Sequence, residues 1–134
     1  MRIFLIIIFG WLPFWVFADY RIEGQLNLSE EWEPTIYLSV INAFDDLNAV
    51  SEDFILKSVP IQENGFFVLT GDNLPSEERL YRLHICKKGD PAATIIIGGK
   101  DENHLHFVMG SDSGLRFIPG INGRFSDAEL QGYA

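Results

Sequence analysis

Between Phe54 and Gly71 the chain reads FILKSVPIQENGFFVLTG. Ile55, Lys57, Val59 and Ile61 alternate with Phe54, Leu56 and Ser58, the period of a half-buried strand. Pro60 has no N–H to give to a ladder, which puts this strand at an edge or a bulge. Asn64-Gly65 then stands between two apolar runs, the strongest short-range hairpin signal, because both residues accept positive φ. Phe66–Gly71 is expected to return as the next strand of that hairpin.

The same reading extends in both directions. Tyr20–Leu28 places Ile22, Gly24, Leu26 and Leu28 on one face and Arg21, Glu23, Gln25 and Asn27 on the other. Thr35–Asn42 (TIYLSVIN) is rich in β-branched and aromatic residues and is a further strand. In Leu80–Lys88, Tyr81, Leu83 and Ile85 face inward while Arg82, His84 and Cys86 face the other way. Thr94–Ile97 is a short apolar strand, and His104–Met109 buries Leu105, Phe107 and Met109. Ala43–Asp53 is a polar loop or short helix. With turn signals every eight to twelve residues, the pattern is all-β: an antiparallel β-sandwich or open barrel of about seven strands.

The last twenty-five residues are expected to differ. Gly110, Gly114, Gly120, Gly123 and Gly132 interrupt any strand pattern. Ser126-Asp127-Ala128-Glu129 matches a helix capping box, with less than two turns of chain after it. The domain reading is therefore a signal peptide at 1–18, a sandwich at 19–110, and a poorly ordered tail at 111–134, a truncated linker or helix start. On this reading, deleting residues 119–134 shifts the unfolding midpoint little, because glycine-rich backbone is costly to order.

The N-terminus carries an address. Met1-Arg2 precedes sixteen uncharged residues, Ile3–Ala18, and Val16-Phe17-Ala18 forms a cleavage pattern ahead of Asp19. The run is shorter than the ~20 residues of a spanning helix and contains Pro13, which favours a cleaved signal over an uncleaved inner-membrane anchor. The expected location is the periplasm or the extracellular space, with no membrane insertion after cleavage. No Cys follows the cut, so lipoprotein processing is excluded.

The whole chain has 134 residues, enough for one domain, and a net charge of −9. Cleavage removes Arg2 and leaves −10. An acidic chain is a poor partner for phosphate backbones or anionic lipid, so no nucleic-acid partner is expected. Cys86 is the sole cysteine, which excludes an internal disulfide and a C-x-x-C redox pair and reads as a buried small hydrophobe. Asn27-Leu28-Ser29 spells a glycosylation sequon within a predicted strand.

Several short motifs carry a resemblance: RIEG at 21–24, IYL at 36–38, N-G-F-F-x-L-x-G at 64–71 and L-P-x-x-x-R-L-Y at 74–81. Over residues 20–110 the chain resembles an exported β-sandwich domain of unknown function that certain Gram-negative bacteria place ahead of thioredoxin-like domains. TIIIGGKDENHLHF, residues 94–107, looks closer to a subgroup at the front of membrane-anchored regulators. The resemblance implies a front module whose partners are an envelope protein or missing C-terminal domains. It brings no catalytic or ligand residues.

Candidate chemistry is sparse. His104 and His106 lie two apart on a strand, hence on one face, and form half of a zinc or copper site with Asp101, Glu102 or His84 as possible neighbours. The opposing expectation is ordinary solvated histidines. Glu31, Trp32 and Glu33 with Asp45 and Asp46 are acidic loop positions and candidate partner contacts, Trp32 being the aromatic anchor. They lack calcium-loop spacing. Gly98-Gly99 has no following Lys-Ser/Thr and reads as a turn or bulge. No serine sits in a G-x-S-x-G context. The expectation is a non-catalytic protein-interaction or periplasmic sensor-type module without a cofactor, with a metal-binding or small-ligand carrier using His104 and His106 as the alternative.

Overall fold

A computed structural model describes residues 18–42, 52–118 and 123–134. The expected signal segment and the positions of Asp45 and Asp46 lie outside the described residues. Eight strands form among the described residues: β1 (Tyr20–Gln25), β2 (Thr35–Ile41), β3 (Ile55–Pro60), β4 (Phe66–Gly71), β5 (Arg79–His84), β6 (His104–Gly110), β7 (Gly114–Phe117) and β8 (Glu129–Tyr133). They make two antiparallel sheets, ordered β4-β1-β8 and β3-β2-β5-β6-β7. The all-β sandwich is as expected.

The core lies between the sheets and follows the two-residue period. Ile22, Phe67 and Leu69 from the smaller sheet meet Ile36, Leu38, Tyr81, Leu83, Leu105, Phe107 and Met109 from the larger. One end is closed by residues just outside the strands: Leu26, Trp32, Ile61, Ile85 and Phe125. Gly24 lies in the smaller sheet between Leu130 and Phe67. A Cβ there would stand 2.5 Å from Leu130 Cδ2 and 2.9 Å from the Glu129 carbonyl oxygen, so the absent side chain is what lets β8 close against β1.

The Asn64-Gly65 turn forms, yet the strands on either side of it are not ladder partners. Among the described residues, β3 pairs only with β2, and β4 only with β1. The turn is a corner between the sheets. Gly65 N–H donates to the Gln62 carbonyl at 2.8 Å, and Gln62 N–H to the Phe66 carbonyl at 2.9 Å. Gly65 alone takes positive φ, 88°, where a Cβ would run into the Leu26 carbonyl oxygen. Past Pro60 the backbone bonds away from β4, Ile61 N–H donating to the Pro34 carbonyl at 2.8 Å.

Two further expectations are corrected. Thr94–Ile97 is not a strand; it belongs to the connection between β5 and β6. The tail is not loose where it is described. Gly110 and Gly114 are the ends of a tight β6–β7 hairpin, with Gly114 at φ 81°. β8 completes the smaller sheet, and no helix follows Ser126. Phe125 is 5% exposed within the core. Arg124 holds the approach, its N–H donating to the Glu102 carbonyl at 2.8 Å and Nη2 to the Asn27 carbonyl at 2.6 Å. Gly110 and Gly114 serve the hairpin, and Gly123 the close approach to Glu102. Phe125→Ala is expected to lower stability by about 3–5 kcal/mol, the usual cost of emptying a buried aromatic site, whereas Ser126→Ala, at an exposed position, leaves the urea midpoint nearly unchanged.

Candidate functional site

The polar chemistry collects on the face of the larger sheet that points away from the smaller one. Tyr37 pairs with His84, His84 with His104, Ser39 with Arg82, and Arg82 with His106. All three histidines of the chain and an arginine therefore occupy adjacent positions on one sheet face. The expectation of ordinary solvated residues fails here. Arg82 and His84 are 2% and 1% exposed, and His104 and His106 are half-buried.

Part of the cover is the connection from Ile85 to Asn103, and Asn103 ties it down. This residue is wholly buried. Its Nδ2 donates to the Ile85 carbonyl at 2.6 Å and to the Thr94 carbonyl at 2.8 Å, while Oδ1 accepts from Ile96 N–H at 2.7 Å. One amide thus bonds three backbone groups that have left the sheet ladder, the Ile85 and Thr94 carbonyls and the Ile96 N–H. Within KDEN at 100–103 nothing marks it off from its polar neighbours, and the sequence reading missed it.

The same connection presents the Ala92 carbonyl to two side chains. His84 Nε2 lies 2.7 Å from it, and Cys86 Sγ donates to it at 3.0 Å. A carbonyl only accepts, so His84 carries its proton on Nε2. Its ring stacks on Tyr37 at 4.9 Å between centroids. Burial pushes the Cys86 thiol up to about 11, so it is not a thiolate nucleophile near neutrality.

Burial also lowers His84 and His106 to about 4, with the Arg82 guanidinium and His104 adding repulsion in both cases. His104 is lowered by burial too, opposed by Glu102. The cluster is therefore neutral imidazole beside one guanidinium. The His104 and His106 rings meet edge to face at 5.3 Å. Asp101 bonds Lys87 at 2.8 Å instead of either ring. Among the described residues, no group of three His, Cys, Asp or Glu side chains is placed to hold a metal ion.

Trp32 is not an exposed anchor. It is 2% exposed, and its backbone bridges to Lys87. Lys87 Nζ and Arg124 Cζ lie 5.6 and 5.7 Å from its ring centroid, within reach of cation–π attraction. Glu31 and Glu33 are engaged through backbone: Lys88 N–H donates to the Glu31 carbonyl at 2.9 Å and Glu33 N–H to the Cys86 carbonyl at 2.8 Å. The motif closes the end of the sandwich.

Among the described residues, the outer face of the smaller sheet is left open. Arg21, Glu23 and Gln25 run down its middle, between Phe66, Val68 and Thr70 on β4 and Glu129, Gln131 and Tyr133 on β8. Two adjacent shallow depressions, of ≈ 350 and ≈ 250 Å³, lie on it; Glu23 and Gln131 line both. Tyr133 is 51% exposed, and Arg21 and Glu23 form an ion pair at 2.9 Å. No helix among the described residues is long and apolar enough to cross a membrane. No family model, curated protein or solved structure significantly matches the chain.

Two predictions follow from this geometry. Asn103→Asp places a carboxylate oxygen against two carbonyls, so it is expected to destabilise more than Asn103→Ala, itself worth about 1–3 kcal/mol for the buried groups left unpaired. Urea midpoints of the two variants check this order. The histidines titrate near 6.5 when unfolded and lower when folded, so the unfolded chain takes up protons first. Stability is full above pH 6.5 and falls as pH drops towards 4. The urea midpoint at pH 5 is expected below that at pH 7, with His106→Gln narrowing the gap.

Proposed function

We propose that this chain is an exported, non-catalytic β-sandwich module that binds an envelope protein through the outer face of its smaller sheet. The export reading rests on the charged start, the uncharged run Ile3–Ala18 and the cleavage pattern before Asp19. The binding reading rests on one observation: an open sheet face with a polar centre, Arg21-Glu23-Gln25, flanked by Phe66 and Val68 on one side and Tyr133 on the other. Aromatic groups around a hydrogen-bonding centre suit a protein surface. Shallow, partly polar depressions suit a flat partner better than an enclosed small molecule. The resemblance over residues 20–110 agrees with a front module that works beside other domains.

The histidine face does not serve this role. Its imidazoles, one buried and two half-buried, are neutral, and its amide hub is committed to holding backbone. It supports the architecture that presents the opposite layer.

A photo-crosslinking residue at Val68, in cells exporting the full chain, is expected to trap one defined protein. Ser58, exposed on the far face of the larger sheet, serves as the control position. Capture at Val68 that is lost with Glu23→Lys and absent at Ser58 supports the reading. Equal capture at both positions, or none at Val68, overturns it.

A further inference from the structure

The four sheet edges are not alike. The β3 edge ends in Pro60, which has no N–H to offer. At the β4 edge, Lys57 reaches over from β3 and its Nζ donates to the Thr70 carbonyl. β7 is four residues long. Each is a recognised way of blunting an edge. β8, one residue longer than β7, has neither proline nor lysine in its sequence, ELQGY; among the described residues its one ladder partner is β1, and Leu115 of β7 lies against Gly132 from the inner side.

We propose that β8 pairs antiparallel with β8 of a second copy of this chain, about a two-fold axis at Gln131, joining the two smaller sheets into one of six strands. The strand is self-complementary in that register. Gln131 faces Gln131 of the other copy; its Nε2 donates to Glu23 Oε1 at 2.8 Å, which leaves the second N–H and Oε1 to meet the amide of the other copy. On the same outward side Glu129 faces Tyr133, a carboxylate opposite a phenol donor, and no like charges oppose each other. On the inward side Leu130 faces Gly132, large against small. Glu129, Gln131 and Tyr133 are exposed, as an unpaired edge requires. A shift of one residue would bring inward and outward side chains together, and a shift of two keeps the faces but leaves one end of the five-residue strand unpaired, so only the register about Gln131 pairs the whole of β8. The pairing is a C2 contact, in which one patch meets itself and closes without forming fibres.

Each chain carries a net charge of −9. Two copies therefore repel at long range, and added salt is expected to strengthen the pairing by screening that repulsion. The outer face proposed to bind an envelope protein is left uncovered and becomes continuous across the pair. The pairing goes beyond the partner-binding reading and does not depend on it.

Sedimentation of protein purified from cells exporting the full chain tests the proposal. The wild type is expected at twice the monomer mass at high micromolar concentration. Gln131→Lys and Gln131→Glu each set like charges against each other at the axis, so each is expected to dissociate about fivefold more readily. An equimolar mixture of the two variants opposes Lys with Glu and is expected to restore the pair. Circular dichroism of both variants monitors the fold. A monomeric wild type overturns the proposal, as does a dimer that ignores both substitutions or a mixture that shows no rescue. Val68 crosslinking reads a different strand, so failure of either idea is distinguishable from failure of the other.

Discussion

The side-chain amide of Asn103 is the constraint on which one end of this sandwich depends. Between β5 and β6 the chain leaves the larger sheet, and the backbone groups of that excursion lose the ladder as a partner. Asn103 replaces the ladder with a single group that donates twice and accepts once. Ile85 N–H closes the arrangement by donating to the Asn103 carbonyl at 3.0 Å. With the excursion fixed, the Ala92 carbonyl sits where His84 and Cys86 can reach it. Burial then does the rest of the electrostatics, keeping the thiol protonated and the imidazoles neutral.

The two layers consequently have different characters. The larger sheet has buried side chains on both of its faces, apolar towards the smaller sheet and polar on the other side, where Ser39, Arg82 and His84 lie. Among the described residues, the smaller sheet buries only one face and leaves the other open. Such asymmetry makes the larger sheet the one that buries polar as well as apolar side chains. The open layer is held by short-range devices: Gly24 admits Leu130, Phe125 plugs the end below β8, and Arg124 ties the incoming chain to Asn27 and Glu102.

Much of the fold was legible because burial imposes a two-residue period wherever a strand covers a core. Ile22, Leu83 and Phe107 are inward in the sequence pattern and inward in the structure. The site was less legible. Arg82, His84, His104 and His106 share a face by alternation alone, but their burial depends on what packs over that face, and alternation carries no information about that. Trp32 looked like a loop anchor because its neighbours are acidic; its ring is covered from strands and loops distant in sequence.

Local patterning determined the all-β class, the inward residues of most strands and the turn at Asn64-Gly65, since each depends on a residue's immediate neighbours. Pairing was decided only in three dimensions. The turn at Gly65 joins strands of different sheets: Pro60 still pairs with Thr35 of β2 but has no N–H to donate, and Ile61 N–H bonds to the Pro34 carbonyl, so the chain leaves β2 before it turns into β4. Tail residues with too few apolar side chains to order themselves become β8 because β1, more than a hundred residues earlier, offers a ladder and a glycine-sized gap. A strand is stabilised by the partner it finds, and that partner is not written in its own sequence.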